Sequence, residues 1–175
     1  MYIVSITHNV ELMVSPLERT YPKYAIAAVG AVVVRENKIL LVKRGYAPGK
    51  GKWSIPGGVI EAGEGIKDAA KRELEEETGL IGEPIGILWV LNNIVVDQSR
   101  RVKYHYVIID VLIDHETIRG FCRPGGDALD VSWFNLFDIP DHPEVSRTVK
   151  ILVNRINKYG LNYIPIDGIE NFVIE

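Results

Sequence analysis

The chain has 175 residues, 47% hydrophobic and 25% charged, with formal net charge −3. That is ordinary globular composition for one domain with a good-sized core, and it lacks the basic excess of a general nucleic-acid binder. Cys122 is the only cysteine, no apolar run reaches membrane-spanning length, and the N-terminus lacks the basic-then-apolar pattern of a secretory signal, so a soluble cytoplasmic protein without intrachain disulfides is expected.

The core is expected over about 24–159, with an N-terminal extension 1–23 and a C-terminal tail 160–175. Within the extension, Tyr2–Ile6 reads as a strand. Tyr24–Val34 and Ile39–Lys43 are apolar and β-branched on either side of Arg35-Glu36-Asn37-Lys38, which predicts a hairpin. Arg44–Gly63 is a long glycine-rich loop, and loops of that length inside a compact domain are usually functional. Gly65–Thr78 follows as a helix capped by Gly79, with Asp68–Arg72 and Lys71–Glu75 as i, i+4 pairs on its outer side. Pro84–Val96 and Arg101–Ile113 are strands joined by Asp97-Gln98-Ser99, and Val131–Phe134 is a short strand. Asp141-His142-Pro143 opens a second helix with an apolar stripe of Val145, Val149, Leu152, Val153 and Ile156, ended by Gly160. Leu161–Glu175 alternates apolar and turn residues and suits another strand. The two terminal segments either close a sheet edge or build a homodimer interface, with local packing as the plainer alternative. Strand pairs alternating with two amphipathic helices predict a three-layer α/β/α sandwich, one helix on each face of a mixed sheet.

The first helix carries the most informative pattern. Glu73, Glu76 and Glu77 stand at i, i+3 and i+4 and share a face with Ile66, Ala69 and Ala70, so they are expected to continue the buried stripe. Carboxylates about 6 Å apart repel by roughly 2–3 kcal/mol per pair at an effective dielectric near 20. Such a cluster persists if some members become neutral or a cation sits among them. An all-oxygen carboxylate site suits Mg²⁺ or Mn²⁺ rather than zinc.

Gly58-Val59-Ile60-Glu61-Ala62-Gly63-Glu64, a seven-residue spacer, and Arg72-Glu73-Leu74-Glu75-Glu76-Glu77-Thr78-Gly79-Leu80 together resemble the complete signature of the Nudix hydrolase family. The likeness of layout runs from about Tyr24 to Pro140. It implies a Nudix-type α+β sandwich and cleavage, with divalent metal, of nucleoside diphosphates linked to another group. By resemblance, Glu73, Glu76 and Glu77 are metal ligands joined by a backbone carbonyl of Gly57 or Gly58, while Glu64 and Arg72 are mainly structural. The proton acceptor is Glu73 or Glu76, or else Asp127 on the loop before Trp133-Phe134. Asp127 is preferred to Asp130 there, as base or further ligand, against the alternative of a turn-forming aspartate.

Arg44, Lys50 and Lys52 put charge beside free glycine amides, a setting for a phosphate chain, with Arg44 the best direct contact. Solvated charge is the plainer reading of Lys50 and Lys52. Trp53 either stacks on a base or anchors the loop in the core. Tyr104, Tyr46 and Trp89 are further stacking candidates, and His105 reads as a strand residue. Lys52-Trp53-Ser54-Ile55-Pro56-Gly57-Gly58 and Tyr104-His105-Tyr106-Val107 resemble ADP-ribose pyrophosphatase-like members, although the proline many of these carry about fifteen residues past the motif is absent. The substrate expected is therefore a small nucleotide, ADP-ribose or a similar nucleotide sugar. The alternatives are a nucleoside triphosphate pyrophosphatase that clears oxidised nucleotides and a non-catalytic nucleotide-binding regulator.

Overall fold

In the computed structural model, which describes residues 19–166, the elements in chain order are β1 (Ile26–Arg35), β2 (Lys38–Arg44), β3 (Trp53–Ser54), α1 (Ile66–Thr78), β4 (Leu80–Ile81), β5 (Pro84–Val96), β6 (Val102–Ile113), β7 (Arg119–Gly120), β8 (Ala128–Asn135), α2 (Arg147–Tyr159) and β9 (Ile164–Pro165). The hairpin residues of β1 and β2 are apolar almost without interruption because the sheet is covered on both faces. Alternation sends Val32, Val34, Ile39 and Leu41 into one core cluster and Ala31, Val33 and Leu40 into the other. α2 packs Val149, Leu152, Val153 and Ile156 on the first cluster, and α1 packs Ala70 and Leu74 on the second. The helices therefore lie on opposite faces, as the sandwich requires. Each fully buried leucine or valine contributes roughly 1.5–3 kcal/mol.

The sheet runs β3-β2-β1-β6-β5-β9, with β8 also paired to β2. β1 is antiparallel to β2 but parallel to β6, from Ile26 opposite Tyr106 to Val33 opposite Ile113, which makes the sheet mixed. The glycine loop is more ordered than its composition suggests. Ala31 N–H donates to Pro56 O, Val29 N–H to Gly58 O and Ile60 N–H to Ala27 O, so residues 56–60 lie as a strip along β1.

Three expectations are corrected. The second helix begins at Arg147, not at Asp141: Trp53 N–H donates to Glu144 O and Ser146 N–H to Trp53 O, which holds Val145 in a bridge to Trp53. Ser146 then caps α2, its hydroxyl accepting from Val149 N–H, while Val145 reaches the core from outside the helix. Lys71 pairs with Glu83 at 2.6 Å rather than with Glu75, and Arg72 turns inward to Glu64 rather than out to Asp68. The late strand is longer than expected, reaching Ala128 because all of it pairs with β2. Tyr2–Ile6 lies outside the described residues. Of the tail, Ile164–Pro165 pairs with Gly86 and Ile87 of β5, Ile166 is buried, and the rest lies outside. Among the described residues no helix is long and apolar enough to cross a membrane.

Candidate active site

The last two turns of α1, the strip along β1 and the loop before β8 converge. Glu73 and Glu77 are 8% and 5% exposed and do continue the buried stripe. Glu76 does not: its side chain is 55% exposed. At 100° per residue it stands about 60° from Glu73 on the side away from Leu74, which puts it at the rim.

Arg72 supplies the cation that part of this cluster needs. Its Nε and Nη2 donate to the two carboxylate oxygens of Glu64 at 2.8 and 2.9 Å, its Nη1 to Glu73 at 2.7 Å and Glu76 at 3.3 Å, and Nη2 also to Val59 O at 3.1 Å. The planar guanidinium thus ties α1 to the strip and aims Glu73. The hydrogen bond from Arg72 holds the Glu64 carboxyl below its usual range. Glu73 is raised, because burial outweighs Arg72. Gly58 faces Glu73 so closely that a Cβ there would collide with the Glu73 carboxylate.

Glu77 lies beyond Arg72. It accepts a hydrogen bond from Gly57 N–H at 2.9 Å. Burial first, and then the Asp127 carboxyl within hydrogen-bonding reach, push it up to about 9. Asp127 is brought there by backbone bonds. The loop lies over the end of α1, with Arg123 N–H donating to Thr78 O and Gly125 N–H to Glu77 O, while Gly45 N–H donates to Asp127 O. Glycine at 125 is required because a Cβ would strike Glu76 O. Asp130, already inside β8, instead accepts from the N–H of its neighbour Val131.

Since Pro56 and Gly58 carbonyls both accept from β1, alternation along the strip turns the Gly57 carbonyl the other way, on the side where its N–H meets Glu77. Among the described residues no three Asp, Glu, His or Cys side chains form a ready-made cation cage. The donors do fit a hard divalent ion by type: Glu73, Glu77 and Asp127 carboxylates with Glu76 at the rim, all oxygen, with Glu77 buried against the Asp127 carboxyl and beyond the reach of Arg72.

Around this centre, Arg44 Nε donates to Pro48 O at 3.0 Å and Lys52 Nζ to Pro143 O at 3.0 Å, so both are held at the loop base. Trp53 is 7% exposed and packs on Phe134 at 4.7 Å between ring centroids, which is the core-anchor reading of the two. Tyr104 stacks on Tyr106 at 6.5 Å and 16°. Burial raises the Tyr106 hydroxyl, opposed by the charges of Arg19 and Arg44. Tyr106 was missed in the sequence, although its place two residues after Tyr104 on one strand face was the signal. His105 meets Asn92 across the β5–β6 ribbon, Tyr46 is exposed, and Trp89 packs under Arg155 at 5.2 Å.

A family model described as the NUDIX domain matches residues 25–153. An ADP-ribose pyrophosphatase of Methanocaldococcus jannaschii is 35% identical over 122 residues, 67% of this chain and 69% of that protein. An oxidized purine nucleoside triphosphate hydrolase of Danio rerio is 33% identical over 115 residues, 62% of this chain and 65% of that protein. Among solved structures, a MutT NUDIX hydrolase from Burkholderia pseudomallei superposes with a TM-score of 0.66 at 29% identity, covering 77% of this chain and 99% of the other.

Proposed function

The chain belongs to the Nudix family, and from that premise we propose that it is a divalent-metal-dependent pyrophosphohydrolase acting on ADP-ribose or a similar nucleoside diphosphate sugar. The convergence of Glu73, Glu77 and Asp127 opposite the Gly57–Gly58 strip carries this reading. Glu73, Glu76, Glu77 and the Gly57 carbonyl would hold Mg²⁺ or Mn²⁺. Gly58, whose carbonyl is engaged by Val29, contributes space instead. When bound, the ion would neutralise phosphate oxygens and acidify the attacking water.

The chain's own groups do the rest. Water oxygen attacks one phosphorus, the bridging P–O bond breaks, and the water proton passes to a carboxylate, leaving two phosphate monoesters. Asp127 is the acceptor we favour, since it reaches Glu77 from a loop outside the helix; Glu73 or Glu76 takes the role otherwise. Arg72 orients Glu73, and Glu64 orients Arg72. Arg44 binds phosphate, with Lys52 beside it, and Tyr104 with Tyr106 offers a face to the base. Trp53 fixes the loop on which Lys52 stands.

Identity to the oxidized purine nucleoside triphosphate hydrolase favours a second reading, a nucleoside triphosphate pyrophosphatase. A turnover panel of ADP-ribose, other nucleotide sugars and oxidised triphosphates, with Mg²⁺, Mn²⁺ or chelator, tests both. ADP-ribose should lead and chelator should stop turnover. Glu76→Gln and Glu77→Gln should each cut it at least about a hundredfold. No turnover of any compound with either metal would leave a binding module instead.

A further inference from the structure

Asp127 meets the end of β2 across one close contact. Just past the strand, Gly45 N–H donates to Asp127 O at 3.0 Å. Gly45 is buried, and a Cβ built on it would stand 2.5 Å from that same oxygen. Its φ is not positive, so its backbone conformation suits any L-residue. Glycine is therefore needed at 45 for the close approach alone. A bulge sets that approach up. Lys43 stands opposite Asp130 but Arg44 opposite Ala128, which leaves Leu129 as an extra residue on β8. In an unbroken register Asp127 would fall opposite Tyr46. The extra residue draws it back one position, about 3.3 Å, to Gly45.

We propose that Gly45 is a positioning residue for hydrolysis. By admitting the Asp127 backbone it keeps the Asp127 carboxyl within reach of Glu77, and it ties that carboxyl to Arg44, its chain neighbour. The inference rests on the assignment of Asp127 as proton acceptor. The two sides of the contact are anchored differently. Arg44 is held from its own loop, its N–H donating to Lys52 O at 3.0 Å, its carbonyl accepting from Gly51 N–H at 2.8 Å and its Nε donating to Pro48 O. Asp127 sits in a turn closed by Ala128 N–H on Gly125 O at 3.0 Å, which hangs on the end of α1 through Gly125 N–H and Glu77 O at 3.1 Å. The phosphate contact and the proton acceptor therefore keep a fixed separation through one peptide link and one hydrogen bond. A side chain at 45 would move the turn and leave Arg44 in place, so it would disturb the chemical step and spare substrate binding.

The test uses the full chain with Mg²⁺ and ADP-ribose. Gly45→Ala should lower kcat at least about tenfold with KM changed less than about twofold. Leu129→Ala removes a side chain that is 60% exposed and lies 3.6 Å from the Cβ position of Gly45, so it should fold and give a smaller loss of the same kind. It carries the test if Gly45→Ala does not fold. In an Asp127→Asn background neither change should slow the residual rate further, because the group they aim is gone. A glycine with a merely structural role would give losses that add. Full kcat in both variants, a loss carried by KM, or a loss repeated in the Asp127→Asn background would overturn the proposal. Asp127→Asn as fast as wild type would overturn the proton-acceptor assignment and the proposal with it. An impaired Asp127→Asn beside unimpaired Gly45→Ala and Leu129→Ala would overturn the proposal alone.

Discussion

Replacing Asp110 by asparagine should stabilise the protein at neutral pH, and the size of the gain follows from where Asp110 sits. It lies in the middle of β6, 2% exposed, opposite Gly30, whose missing side chain makes its room: a Cβ there would stand 2.5 Å from Asp110 Oδ1. Burial pushes its carboxyl up to about 8, with no hydrogen bond to its side chain among the described residues. In the unfolded chain the value is about 3.9. The folded form therefore binds the extra proton between those two values. Its contribution to stability is fully present below the unfolded value, falls as pH rises, and is gone once pH passes the folded value near 8. Over the roughly three pH units from the unfolded value to pH 7, at 1.36 kcal/mol each, proton uptake costs about 4 kcal/mol. The asparagine side chain has nearly the shape of the neutral acid and takes up no proton, so the Asp110→Asn protein should recover up to that amount, roughly 8–16 °C in Tm for a domain of this size. Melting both proteins from pH 4 to 9 checks this, because the difference between the curves cancels every other titrating group. The gap should open by about 1.4 kcal/mol per unit from about pH 5 to 7 and level off above 8. Parallel curves, or a mutant no more stable at pH 8, would refute the reasoning.

Gly58→Ala should leave the fold intact but lower turnover at least about tenfold by pushing the Glu73 carboxylate aside, read as kcat against an unchanged melting curve. Arg72→Lys cannot reproduce the paired bonds to Glu64 together with that to Glu73, so it should cost about 1–3 kcal/mol in urea unfolding and lower turnover as well. Asp127→Asn should lower kcat strongly with KM little changed if the carboxylate accepts the water proton. Partial recovery with added Mn²⁺ would make it a metal ligand, and near-silence would make it a turn residue only. Gly30→Ala should destabilise by about 1–3 kcal/mol, and the loss should shrink when Asp110→Ala is combined with it.

What the sequence determined by itself is what short spacing controls. The hairpin, the α1 boundaries with Gly79 in the left-handed conformation, the stripe on α2 and the inward aim of Glu73 and Glu77 all follow from turn chemistry and helical or strand period. Complete spacing from Gly58 to Leu80 carried the family for the same reason, since those residues sit on one helix and the loop before it. Tertiary structure decided whatever depends on groups far apart in the chain. Arg72 had an acceptable partner one turn away in Asp68 but bonds Glu64, because a half-buried guanidinium gains more from two fixed carboxylate oxygens than from a solvated one. α2 starts late because the Trp53 backbone holds Val145 in a bridge. Asp127 could be proposed from its spacing, but only the loop's bonds to the end of α1 put it against Glu77. Burial there, which no local pattern encodes, sets the protonation of Glu77, just as it does for Asp110.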